Sequence, residues 1–277
     1  MNARLIAIDL DGTLVGDDLT ISTRDRAAIR RAISGGIKVC LVTGRLFSAS
    51  RRFADDIGLR GPLACLQGAA IYDLQTGGLT RSWPLAAKTA IRAYDFMKDG
   101  GYQTQLYFGD TLFVDSVDER TEEYLRRSRI EPTIVPDLRS LLVEPGRASG
   151  TLLKVLGIGA AADVERDVVR LSDVLGAHEA NVMKSQPTYL EVTDSRADKG
   201  SALRSIAESL GISLAETAAI GDSDNDAPML RIAGASFAVA GATAAARQAA
   251  ARMVGAQGIG VADAIDALCD ADACGIP

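Results

Sequence analysis

Histidine is almost missing from this chain. The single one, His178, excludes a metal site built from several imidazoles, and it reads as a surface or structural residue. Cysteine is scarce as well: Cys40 and Cys65 fall in apolar, strand-like runs, whereas Cys269 and Cys274 lie in an Ala-rich tail without CxxC spacing. That pattern supports neither zinc nor a disulfide framework, and buried reduced thiols are expected. There is no excess of positive charge, with 30 Lys+Arg against 36 Asp+Glu and a net charge of -6, which argues against a general nucleic-acid binder. A local basic pocket for a small phosphate ester remains compatible with such a surface. No apolar run approaches the roughly 20 residues that a bilayer span needs, so no membrane segment is expected. Met1-Asn2-Ala3-Arg4 runs directly into the first predicted strand, leaving no room for a signal peptide, and a cytoplasmic location is the expectation.

What is present begins with Asp9-Leu10-Asp11-Gly12-Thr13, directly after the apolar run Leu5-Ile6-Ala7-Ile8. A strand buried on both faces of a parallel sheet reads as a continuous apolar run, and ligands bind beyond the carboxyl ends of such strands. Asp9 and Asp11 therefore stand where a site would stand. A turn is the other reading, since Asp and Gly are common turn formers.

The 277 residues are enough for one large or two moderate domains. Ser22 or Thr23 can cap a helix ending at Gly35-Gly36, and the run Ile37 to Val42 completes a βαβ unit that ends in Thr43-Gly44-Arg45. A second helix to about Gly58 leads to Leu63-Ala64-Cys65-Leu66, a third strand of the same parallel kind. Alternation of this sort predicts a doubly wound α/β sheet. The pattern then changes. Ala70-Ile71-Tyr72 and Leu79 to Trp83 flank Gly77-Gly78 as a hairpin, and the following stretch reads as a separate α+β insertion. That insertion has strands at Gln103 to Tyr107, Thr111 to Asp115, Leu152 to Ile158, His178 to Lys184 and Tyr189 to Thr193, with helices to about Lys98, from Asp118, and from Ala161 to Leu175. From Asp198 the first pattern returns: a helix to Gly211, strand Thr217 to Ile220, a helix near Ala227, strand Phe237 to Ala240 and a terminal helix, with Ala242 to Ala251 also helical. The division expected is a catalytic core from 1-83 and 187-277 around an inserted domain of 84-186, with hinges near Trp83-Pro84 and Ser185-Gln186-Pro187.

A second acidic cluster, Gly221-Asp222-Ser223-Asp224-Asn225-Asp226, follows the apolar run Ala218-Ala219-Ile220. In one parallel sheet, Asp9, Asp11, Asp222 and Asp226 can converge at a shared edge. Clustered carboxylates repel unless one is protonated or a cation lies between them. An all-oxygen set without His or Cys selects a hard ion, and Mg2+ fits best. A calcium loop fails, because Ala227 stands where Gly is needed and Ala233 where Glu is needed. Thr43 and Gly44 can offer a hydroxyl and an N–H to phosphate oxygens. Lys199 opens a helix in Asp198-Lys199-Gly200, where the dipole disfavours a cation unless an anion is near.

Asp-x-Asp-Gly-Thr, Thr-Gly-Arg, Asp-Lys-Gly and Gly-Asp-x-x-Asn-Asp, in this order, resemble the motifs of the haloacid dehalogenase (HAD) superfamily of phosphohydrolases. The insertion between the second and third motifs resembles the large α+β cap of the Cof-like, type IIB branch, as do the segment from Asp11-Gly12-Thr13-Leu14 to Ile21-Ser22 and the closing Gly260-Val261-Ala262. The resemblance implies a Rossmannoid core with a type IIB cap, and a Mg2+-dependent phosphatase acting on a small phosphorylated metabolite, a sugar phosphate first among them. It implies Asp9 as nucleophile and Asp11 as general acid and base. Mg2+ would be held by the Asp9 side chain, the Asp11 backbone carbonyl and Asp222, with Asn225 and Asp226 orienting that site. Leu10, Thr43, Gly44, Arg45 and Lys199 would form the substrate-binding set.

Two positions depart from the branch. Gln67-Gly68-Ala69 stands where Asn-Gly-Ala is frequent, and Gly241 stands where an Asn is frequent; both bear on substrate contacts and not on the reaction. Arg45, Tyr107 and Lys184 are candidate specificity residues that the sequence does not sort. A phosphosugar mutase and a non-catalytic phosphometabolite sensor are the competing functions. Oligomeric state is not readable.

Overall fold

The computed structural model describes residues 3–144 and 146–270. The first apolar run forms β1 (Leu5–Ile8), fully buried. It is followed by α1 (Thr23–Ser34), β2 (Lys38–Leu41), α2 (Phe47–Ile57), β3 (Pro62–Cys65), β4 (Ala70–Asp73) and β5 (Leu79–Ser82). Ser22 caps α1 by accepting from Asp25 N at 2.9 Å, and α2 ends at Gly58, whose φ of +79° is costly for any residue with a Cβ.

The middle of the chain contains α3 (Ala87–Asp99), β6 (Gln103–Phe108), β7 (Thr111–Val114), α4 (Glu119–Ser128), β8 (Thr133–Ile134), α5 (Leu138–Val143), β9 (Leu152–Ile158), α6 (Ala161–Leu175), β10 (Ala180–Gln186) and β11 (Tyr189–Asp194). After it come α7 (Lys199–Ser209), β12 (Thr217–Gly221), α8 (Ala227–Ile232), β13 (Ala235–Ala240), α9 (Ala244–Ala249), β14 (Arg252–Ala256) and α10 (Gly260–Asp270).

Strands β14-β13-β12-β1-β2 form a five-stranded parallel sheet. Ile8 of β1 pairs with Leu41 on one side and Ile220 on the other, so the chain leaves β1 toward β2 and returns on the opposite side at β12. That reversal is the switch point at which open α/β sheets bind ligands. The third strand departs from expectation. It pairs antiparallel with β4 in a three-stranded sheet, while the parallel Val42–Ala64 bridge and the bonds from Thr43 N to Ala64 O (2.9 Å), Leu66 N to Arg45 O (3.0 Å) and Gln67 N to Thr43 O (3.0 Å) carry the parallel sheet onward. The hairpin at Gly77-Gly78 forms as expected, with Gly77 at φ +70°.

The insertion is a six-stranded sheet, β10-β11-β9-β6-β7-β8. Its strands alternate between two faces. Leu106, Val155, Leu190 and Val192 pack in one cluster with Ala90, Val164 and Leu171 of the helices α3 and α6. The opposite face presents Tyr107, Lys154, Leu156, Tyr189 and Glu191 toward the parallel sheet.

A boundary at 186/187 cuts through the β10–β11 hairpin, and both strands belong to the inserted sheet, since β11 pairs with β10 and with β9. Pro187 marks a hairpin turn there and not a hinge; the chain leaves the inserted sheet after Asp194. Strands β14 and β8 and helix α5 have no counterpart in the sequence pattern, and the Ala-rich helix is confined to Ala244–Ala249. Cys40 and Cys65 are buried, and burial pushes the Cys40 thiol up to about 12. Cys274 lies outside the described residues. His178 is exposed on the surface. Among the described residues no helix is long and apolar enough to cross a membrane.

Candidate active site

Because β1 and β12 are neighbours in register, Asp9 and Asp222 leave the sheet side by side. Gly12 makes the turn after Asp11 with φ +88°, and a Cβ there would lie 2.6 Å from Asp222 Oδ2, so the loop admits only glycine at this approach. Thr13 Oγ1 donates to Asp222 Oδ1 at 3.0 Å and Ser223 Oγ donates to Asp222 Oδ2 at 2.7 Å.

Lys199, the first residue of α7, is almost wholly buried. Its Nζ donates to Asp9 Oδ1 at 2.5 Å and to Asp226 Oδ1 at 2.6 Å. The anion that a cation at a helix start calls for is therefore a pair of carboxylates in the ligand-free protein. Asp226 uses its other oxygen to accept from the backbone N–H of Asp222 (2.8 Å) and Ser223 (2.9 Å), which fixes the acidic turn. Asp9 Oδ2 is buried and has no hydrogen-bond partner. Burial, then repulsion from Asp226, holds the Asp9 carboxyl well above the usual range despite Lys199, and the same two causes raise Asp222. Burial would lower the Lys199 ammonium, but Asp226 and Asp9 more than offset it and raise it.

Carboxylate oxygens of Asp9, Asp222 and Asp226 lie within 4.8 Å of one another. Asp9 Oδ2 is unpartnered, and Asp222 accepts one hydroxyl on each oxygen where Asp226 accepts the Lys199 ammonium and two backbone N–H groups, so Asp9 and Asp222 are the pair better placed to take a cation. Their all-oxygen donors and uncompensated charge fit a hard divalent ion. The Asp11 carboxylate is not part of this group; Arg45 holds it at two points, Nε to Oδ2 at 2.7 Å and Nη2 to Oδ1 at 2.5 Å.

The remaining expected residues are sorted by the structure. Gly44 and Arg45 line the cleft with Asp9, Asp11, Lys199 and Asp222. Thr43 is fully buried beneath it: its N–H is committed to Ala64 O, and its hydroxyl accepts from Arg45 N at 3.2 Å, so only the hydroxyl remains to serve a ligand. The Leu10 side chain is in the core and its carbonyl accepts from Leu14 N and Val15 N, which excludes a side-chain contact with substrate. Asn225 Nδ2 donates to Gln67 Oε1 at 2.8 Å, while Asn225 Oδ1 is buried without a partner.

Sequence reasoning missed the cap side of the cleft: Tyr124, Arg127, Lys154, Ser185, Tyr189 and Glu191. The available signal was a lone charge, Lys154, inside the otherwise apolar β9 and a second, Glu191, between the apolar Leu190 and Val192 of β11. Of the unsorted candidates, Arg45 lines the cleft, Tyr107 lies beneath it with its ring 4.4 Å from Lys154 Nζ, and Lys184 pairs with Glu165 in an adjoining hollow that shares Gln67, Lys199 and Asn225 with the cleft. Cap and core meet directly over the site. Lys154 Nζ donates to Gly44 O at 3.0 Å, Gln67 Nε2 to Glu191 Oε1 at 3.3 Å, Arg45 Nη1 to Arg127 O at 3.1 Å, and Ser48 N to Asp110 at 3.1 Å.

Residues 6–265 match the family model of the haloacid dehalogenase-like hydrolases. The chain belongs to this family. As a Cof-like HAD hydrolase it is an enzyme, and its named relatives are phosphatases. It is 28% identical over 243 residues to the putative phosphatase YxeH of Bacillus subtilis, covering 86% of this chain and 88% of that one. It is 25% identical over 260 residues to the pyridoxal phosphate phosphatase YbhA of Escherichia coli, covering 92% and 94%. Its fold matches the solved structure of the HAD subclass IIB sugar phosphatase BT4131 with a TM-score of 0.80 at 17% identity, over 96% of this chain and 98% of that one. The HAD core with an inserted cap is thus the architecture of this chain.

Proposed function

We propose that this HAD hydrolase is a Mg2+-dependent phosphatase of a small phosphorylated metabolite, a sugar phosphate by preference, working through an aspartyl-phosphate on Asp9. One observation carries the reading: a buried carboxylate oxygen, Asp9 Oδ2, has no partner, while its neighbour Oδ1 is held by a buried lysine and Asp222 stands alongside. A structural ion pair has no use for an unsatisfied buried oxygen, whereas a nucleophile that also binds a cation does.

Asp9 attacks phosphorus in line. The bond from phosphorus to the ester oxygen breaks as the Asp9–phosphorus bond forms, and Asp11, which first leaves its two-point contact with Arg45 and takes up a proton, gives that proton to the departing alkoxide. Asp11 then takes a proton from water, which attacks the aspartyl-phosphate and releases orthophosphate with Asp9 restored. Lys199 and the Thr43-Gly44 loop hold the phosphoryl oxygens while charge spreads over them. Asp9, the Asp11 carbonyl and Asp222 would hold Mg2+, which when bound would supply charge neutralisation between carboxylate and phosphate. Asp226 and Asn225 keep the acidic turn in place.

The test is orthophosphate release from sugar phosphates with and without Mg2+, with product analysis. Released orthophosphate supports the phosphatase; an isomerised sugar phosphate stimulated by a bisphosphate replaces it with a mutase. Binding of phosphate esters without either product replaces it with a sensor.

A further inference from the structure

Lys154 and Glu191 form an ion pair, Nζ to Oε2 at 2.9 Å, in which both residues are nearly inaccessible at 1% and 2% exposure, on the cap face over the nucleophile. Burying such a pair is no gain in stability over a well-packed apolar pair, so its presence here asks for another reason. Glu191 Oε1 accepts from Gln67 Nε2 and Ser185 Oγ. Glu191 Oε2 faces the Lys154 ammonium at 2.9 Å as an ion-pair contact outside hydrogen-bond alignment, while that ammonium donates one of its three hydrogens to Gly44 O at 3.0 Å. A buried carboxylate oxygen with unfilled lone pairs on a cleft wall is an acceptor waiting for a donor.

The charges around that wall are already balanced. Each cation lining the cleft faces a carboxylate: Arg45 with Asp11, Arg127 with Asp17, Lys154 with Glu191, and Lys199 with Asp9 and Asp226. A leaving group carrying its own carboxylate or second phosphate would meet no unpaired cation on the cap and would be pushed against Glu191. A neutral diol fits: one hydroxyl donates to Glu191 Oε2 while a neighbouring oxygen accepts from Lys154.

We infer that Lys154 and Glu191 are the leaving-group subsite of this enzyme, selecting an uncharged polyhydroxylated group such as a sugar or an alditol and rejecting anionic ones. The inference rests on the phosphatase reading and adds to it the residues that choose the ester. The experiment compares glucose 6-phosphate with phosphoglycolate, as a ratio of kcat/KM for turnover and as a ratio of affinities measured by calorimetry in an Asp9→Asn background.

Glu191→Gln removes the charged acceptor and leaves Lys154 unbalanced. The ratio in favour of glucose 6-phosphate is expected to fall tenfold or more, the size of one hydrogen bond to a charged group. Lys154→Gln leaves Glu191 unbalanced against an anionic group while its amide N–H still serves the neighbouring sugar oxygen, and the ratio is expected to hold or rise; this opposite response is one that a merely structural pair would not give. A Glu191→Gln ratio within twofold of wild type, or a wild-type preference for phosphoglycolate, overturns the subsite. If Glu191→Gln does not fold, a fall of the ratio in Lys154→Gln overturns it and a rise supports it. A wild-type protein that releases no orthophosphate while its Asp9→Asn form prefers glucose 6-phosphate keeps the subsite and overturns the phosphatase reading.

Discussion

Arg45 grips Asp11 at two points and uses its third nitrogen, Nη1, to donate to Arg127 O of the cap at 3.1 Å. One buried guanidinium thus ties the loop after β1, the start of α2 and the cap together directly beside the nucleophile. A planar fork does this and an ammonium does not. Arg45→Lys is expected to lower kcat/KM by about tenfold or more through loss of this positioning. Steady-state kinetics check it; a variant within twofold of wild type removes Arg45 from the account.

Asp11 is the residue assigned to protonate the departing alkoxide. Asp11→Asn keeps an acceptor for Arg45 but has no proton of suitable acidity, so turnover of alkyl phosphates is expected to fall by about 10²-fold or more. A near-normal rate takes the acid role from Asp11.

Lys199 balances two buried carboxylates at once. Lys199→Met keeps the length and removes the charge, leaving Asp9 and Asp226 facing each other uncompensated, a loss on the order of 3–5 kcal/mol when a buried pair is broken from one side. Thermal and denaturant unfolding of metal-free protein measure it. An unchanged midpoint would contradict the ion-pair geometry described here.

Stripping divalent ions bears on Asp9 and Asp222 together. Mg2+ added after chelation is expected to raise the thermal midpoint by mass action, with no comparable rise in Asp222→Asn. Equal shifts in the two proteins would place the cation elsewhere.

Asp25 gives a pH signature away from the site. Its carboxyl is raised by burial, against the opposing hydrogen bonds from Ala262 N (2.8 Å) and Ser22 Oγ. A raised acid holds its proton more tightly in the folded chain than in the unfolded one. Its stabilising contribution is therefore complete below the ordinary carboxylate value, about 4, and is lost as pH climbs through the raised value. Asp25→Asn retains an oxygen for Ala262 N–H and removes that dependence. The midpoint of the variant is expected to gain on wild type as pH rises across this window, and a difference that is flat with pH would contradict the assignment.

The catalytic half of the fold is legible because the chemistry is local. Leu5–Ile8 and Ala218-Ala219-Ile220 are buried runs that end in carboxylates, and the parallel register between them brings Asp9 and Asp222 together. Lys199 is legible for a similar reason, as a cation where a helix start disfavours one. The cap is less so. Lys154 is the one charge in β9 and Glu191 is flanked by Leu190 and Val192 in β11, and the non-local pairing of β9 with β11, Leu156 opposite Glu191 and Lys154 opposite Thr193, makes them neighbours. Ser185-Gln186-Pro187 reads as a hinge from sequence; the pairing of Lys184 with Leu190 makes it a hairpin turn. Gln67 was visible as a departure, but its reach to Asn225 and Glu191 depends on a left-handed backbone at φ +60°, which no pattern in the sequence announces.

The central claim is that Asp9 carries the phosphoryl group. Orthophosphate release from sugar phosphates by wild type and Asp9→Ala, each with and without Mg2+, tests it most directly. The account predicts Mg2+-dependent release by wild type and its loss in the variant; release by Asp9→Ala at the wild-type rate would contradict it.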